Sequence, residues 1–100
     1  MKNFKELKIW QKGFQIAKDA YRLIEGFPST EKYGLSNQIT RSAVSIASNV
    51  AEGNSRSSEK DKKRFIEIAL GSAFELETQL LIAREAKFGR RTICGIIKFN

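Results

Sequence analysis

The chain has 100 residues, enough for one domain with one core and little to spare. Eighteen Lys and Arg against eleven Asp and Glu give a net charge of +7, which favours polyanionic partners or serves solubility alone. With no histidine and a single cysteine, Cys94, it has no intramolecular disulfide and lacks the commonest general base and metal ligand.

The first 25 residues carry six basic and three acidic side chains, and Leu7, Trp10, Phe14, Ala17, Tyr21 and Ile24 recur at alternating steps of three and four. That spacing predicts a helix over about residues 4–25 with a heptad seam. Ile9, Ile16 and Ala20 widen the apolar face to about half the circumference, so the helix should pack on two sides. Lys5, Lys8 and Lys12 lie together on the opposite face, and Gly26 and Pro28 end the segment.

Residues 29–34 form a turn with room for a short helical piece, and a second helix follows over about residues 35–52. Its seam is Leu35, Ile39, Ala43, Ile46 and Val50, and Ser36, Ser42, Ser45, Ala47, Ser48 and Ala51 are small. Small side chains admit close neighbours, which places this helix centrally. Gly53 is the expected C-cap, with a polar linker after it.

Ser58 is placed to cap a third helix that runs to about residue 87, with Glu59 and Asp61 at its positive end. Ile66, Ala69, Ala73, Leu76, Leu80 and Ala83 form one stripe, and Leu70, Phe74 and Leu81 a second. Glu77 falls within the second stripe. It either meets a basic group or backbone donor of a neighbour, or reaches water at the helix edge. Gly89 should stop this helix. The tail over residues 89–100 is too short for a full bundle helix and reads as two helical turns or a short extended segment.

These elements predict an all-α, antiparallel up-and-down helical bundle: three long helices with a shortened fourth, in one domain over residues 1–100. A stunted fourth helix leaves apolar surface uncovered, and such surface is usually an interface. The chain is therefore expected to be a homo-oligomer. The N-terminus does not read as a signal peptide, and no apolar run approaches the roughly 18 residues that span a bilayer. The expectation is a cytoplasmic protein with no membrane partner.

No arrangement of side chains points to catalysis. The acidic residues of the third helix are spread over several faces, the serines lack a base, and Glu52-Gly53-Asn54 follows a helix instead of a strand. The protein is expected not to be an enzyme and to need no cofactor or metal. Its candidate nucleic-acid-binding residues are Lys5, Lys8 and Lys12, then Arg56, Lys60, Lys62, Lys63 and Arg64, then Arg90 and Arg91 in the tail. The middle group is the densest, and a solvated helix start would look the same. Basic charge there opposes the helix dipole, which favours a functional reason.

Residues 33–53, YGLSNQITRSAVSIASNVAEG, and 65–80, FIEIALGSAFELETQL, together with Leu7-Lys8-Ile9-Trp10-Gln11-Lys12, carry a resemblance. Over about residues 4–88 the chain resembles the bacterial four-helix-bundle proteins encoded by intervening sequences in large-subunit ribosomal RNA genes. The resemblance implies a ring-like homopentamer and an association with ribosomal RNA. It also implies a second kind of partner, because relatives serve as accessory proteins to the reverse transcriptases of diversity-generating retroelements. Arg41, Asn49 and Glu52 match the family's motif, and the resemblance gives them helix packing or subunit contacts first and RNA second. The departure is at residues 89–100, which look like the close of a fourth helix whose middle is missing.

Overall fold

The computed structural model describes residues 3–88. Asn3 accepts the Lys5 N–H at 3.0 Å and starts a single 3-10 turn over Phe4–Glu6. Leu7 then adopts extended backbone, with φ −73° and ψ 127°, so α1 spans Lys8–Ile24 and does not begin at Phe4. The break lets Phe4 fold back edge-on to Trp10, with ring centroids 5.3 Å apart.

The face α1 buries overlaps the expected heptad seam only in part: Ala17 and Ile24 pack against the core, and Leu7 and Trp10 are half-buried. Gly13, Ala20 and Leu23 are buried, whereas Phe14 and Tyr21 are 46% and 54% exposed. The apolar face is wide, and the small residues decide which half of it a neighbour can approach. A Cβ on Gly13 would sit 3.3 Å from the backbone nitrogen and Cα of Ala47, so α1 and α2 meet there almost backbone to backbone.

After Pro28 a second 3-10 turn, Ser29–Glu31, leads to α2, Leu35–Ser55. The Glu31 carboxylate accepts the Leu35 N–H at 3.3 Å and satisfies one free donor of the helix start. Gly53 does not end this helix as its sequence position suggests. It lies buried inside α2, where a Cβ would come within 3.0 Å of the Phe65 Cβ. Its smallness lets the next helix come close, and the extended residue Arg56 ends the helix instead.

Helix α3 spans Glu59–Glu85, and the Ser58 hydroxyl accepts the Asp61 N–H at 3.1 Å as its cap. The stop comes before Gly89. Lys87 takes a left-handed φ of 66°, the Phe88 N–H reaches the Ala83 carbonyl and the Lys87 N–H that of Arg84, both at 2.9 Å. This pair of bonds is a Schellman ending with lysine where glycine is usual. It turns Phe88 onto Phe27, ring centroids 5.5 Å apart, which closes that end of the core.

The three helices alternate in direction, and no strand occurs among the described residues. Helix α2 lies in the middle, and α1 and α3 pack on it. The result is a rod of 43 × 21 × 19 Å. Ala20, Leu23, Ile39, Ala43, Ile46, Leu76 and Leu80 form its core. The α2–α3 seam also carries a polar ladder. Ser42 Oγ donates to Gln79 Oε1 at 2.6 Å, and the Ser45 and Ser72 hydroxyls meet at 2.8 Å. Apolar side chains of α3 stay uncovered: Leu70 is 53% and Phe74 60% exposed, and Ile66 and Leu81 are partly so. The shortened fourth helix expected over residues 89–100 lies outside the described residues, as do Arg90 and Arg91.

Candidate nucleic-acid interface

Alternating helix direction puts the starts of α1 and α3 at one end of the rod, beside the end of α2. The first 3-10 turn fixes this: Asn3 and Phe4 border a cleft whose other wall is Ser48, Ala51, Glu52, Asn54 and Ser55, at the close of α2. Gly53 meets the carbonyl of Lys62 and the side chain of Phe65 from the other side. Lys5, Lys8 and Lys12 thus share an end with Lys60, Lys62, Lys63 and Arg64, although some fifty residues separate the two groups in sequence. All are exposed except Lys62, which is half-buried.

The charge of the described chain is concentrated there. This end holds the seven cations just named and Arg56, against Glu6, Glu52, Glu59, Asp61 and Glu67, for a net +3. The far end holds Lys18, Arg22, Lys32, Arg41, Arg84 and Lys87 against Asp19, Glu25, Glu31, Glu75, Glu77 and Glu85, for a net of zero. Every unit of net positive charge between residues 3 and 88 therefore belongs to one end.

The cations differ in how free they are. Arg56 is engaged: its guanidinium donates to Glu52 at 2.9 Å and lies 4.7 Å over the Phe65 ring. It holds the α2–α3 corner, at a worth of about 1 kcal/mol for partly exposed contacts of this kind. Lys63 stands 3.9 Å from Glu67 with both side chains mostly in water, a contact too loose to hold it. Lys5, Lys8, Lys12, Lys60, Lys62 and Arg64 make no ion pair among the described residues.

The other singled-out residues lie elsewhere. Asn49 donates to the Ser45 carbonyl and hydroxyl at 2.8 and 2.9 Å, and so braces the polar ladder from within α2. Glu52 accepts from Arg56 and from Ser55. Arg41 is exposed on the outer face of α2, and Glu77 is half-buried at the edge of the uncovered α3 stripe; neither has a side-chain partner among the described residues. Sequence reading missed the engagement of Arg56, although the four-residue step from Glu52 is a legible signal for it. It also missed the exposure of Tyr21, which depends on which half of a wide apolar face meets α2.

Among the described residues, no group of three or more His, Cys, Asp and Glu could hold a metal ion, and no helix is long and apolar enough to cross a membrane.

Fold and charge together define a class: an all-helical rod with a cationic end and an uncovered apolar flank. Residues 5–94 match the model of the family described as 23S rRNA-intervening sequence protein, and the chain belongs to that family. The match runs past residue 88, where the likeness was placed from sequence, into the tail. No curated protein matches the chain.

Proposed function

We propose that this protein is a non-catalytic, RNA-binding oligomer that takes structured RNA on its cationic end. One observation carries the reading: seven cations from two distant stretches of sequence meet at one end of the rod, and six of them have no ion-pair partner among the described residues. Lysine and arginine so placed contact phosphates and displace counterions without reading base sequence. The family's description names 23S rRNA intervening sequences, which makes the large ribosomal RNA the first RNA to test. Fluorescence anisotropy with a ribosomal RNA hairpin provides the test. With about three to five phosphates neutralised, affinity should fall roughly 40- to 500-fold between about 50 and 200 mM salt. Unchanged affinity, or no binding, would overturn the proposal.

The α3 flank favours a protein contact as well. Leu70, Phe74 and Leu81 form an exposed aliphatic and aromatic stripe at helical spacing, interrupted by Glu77 and extended toward the helix start by Ile66. We assign it to a second copy of the chain. Native mass spectrometry should return an oligomer, and Leu70→Glu with Phe74→Glu should return the monomer. The alternative reading is an adaptor, for example to a reverse transcriptase, in which the same stripe holds a different protein. A wild-type chain that is monomeric at micromolar concentration would favour that alternative.

A further inference from the structure

We propose that a cleft between α1 and α2, away from the cationic end, seats one unpaired nucleotide of the bound RNA. This inference rests on the RNA-binding reading and adds a site to it. The cleft measures about 350 Å³, the scale of a small-ligand site, and its walls are Tyr21, Asn37, Thr40, Arg41, Val44 and Ser45.

The lining separates into groups already satisfied and groups left open. Thr40 Oγ1 donates within its own helix, to the carbonyls of Ser36 and Asn37, both at 3.1 Å. The Ser45 hydroxyl is taken by Ser72 and Asn49. The Tyr21 phenol, the Asn37 amide and the Arg41 guanidinium have no side-chain partner among the described residues, and no carboxylate lies in the cleft wall. Arg41 is the only cation in the 21 residues of α2.

Those three groups match the parts of a nucleotide. The Tyr21 ring, 54% exposed, offers a face on which a base stacks, and Val44, 40% exposed, supplies apolar floor beside it. Arg41 presents a planar fork of donors that suits a phosphate. Asn37 carries both a donor and an acceptor for a base edge. A base inside a duplex has no free face, so the occupant must be a bulged or single-stranded nucleotide. Glu75 borders the neighbouring cleft on the other side of Arg41, which leaves the carboxylate-free side as the place for the anion.

The test uses the full chain and two hairpin RNAs with one stem sequence, one of them carrying a single-nucleotide bulge. Wild-type protein should bind the bulged hairpin about fivefold more tightly or better, about fivefold being the low end of what one stacked base contributes. Tyr21→Ala and Arg41→Ala should bring the ratio to about 1 and leave affinity for the unbulged hairpin within about twofold, while Tyr21→Phe, which keeps the ring, should retain the preference. Both side chains are exposed, and circular dichroism should show all three variants folded. Equal wild-type affinity for the two hairpins would overturn the nucleotide site and leave the RNA-binding reading standing. Failure to bind either hairpin would overturn both. Saturable binding of free AMP or GMP, lost in Tyr21→Ala and unaccompanied by any preference between hairpins, would reject an RNA strand as the source of the nucleotide.

Discussion

The two ends of the rod are built from the same three helices, and over the described residues they differ in net charge by three units. At one end six free cations surround the helix starts, with Arg56 fixed to the corner between α2 and α3. At the other, six cations are matched by six carboxylates, and the chain spends its residues on closure: Phe27 against Phe88, and a lysine in a left-handed turn. One end presents cations that no carboxylate engages, and the other seals the core. The difference shows that net charge alone says little until topology states where the charge lies.

Charge reversal is the strongest way to break this comparison. Lys60→Glu, Lys63→Glu and Arg64→Glu together should weaken RNA binding by on the order of 100-fold near 100 mM salt. The matched triple at the far end, Lys32→Glu, Arg84→Glu and Lys87→Glu, should cost less than about threefold. Anisotropy titrations at fixed salt decide between them, and equal losses would mean that the two ends do not differ in function.

A smaller effect tests how the cations are brought together. Gly13→Leu forces a side chain into the backbone of Ala47 and should destabilise the fold by about 1–3 kcal/mol in urea unfolding. Gly71 lies inside α3 with nothing within 4 Å of an added Cβ, so Gly71→Ala should instead stabilise by about 0.5–1 kcal/mol. The opposite signs would show that α1 is held on α2 by close approach at one glycine and not by helix propensity.

The smallest effect belongs to the sealing end. Lys87 holds a φ of 66° that a lysine adopts only at a cost. Lys87→Gly should raise stability by about 0.5–1 kcal/mol and leave RNA affinity unchanged, because the cation it removes lies at the neutral end. A stability gain with a large loss of binding would place RNA at the wrong end.

Much of this was legible in the sequence. Apolar spacing gave three helices, the small residues of residues 35–52 put the second in the middle, and Ser58 marked the start of the third. Boundaries were less legible where tertiary contacts override local signals. Gly53 reads as a cap until Phe65 is seen against it, and Gly89 reads as a stop until Lys87 makes the turn that brings Phe88 to Phe27. Phe14 and Tyr21 fall outside the buried part of the α1 seam because periodicity finds an apolar face but not which half of it a partner occupies. Each basic cluster was visible, but their meeting was not, since it follows only once the alternation of helix direction is combined with the packing of Phe4 on the end of α2.

The most direct measurement is the reactivity of individual lysines toward acetylation, read by mass spectrometry with and without ribosomal RNA. Lys5, Lys8, Lys12, Lys60, Lys62 and Lys63 should become protected while Lys32 and Lys87 continue to react. Protection spread evenly along the chain, or concentrated on Lys32 and Lys87, would contradict RNA binding at the cationic end.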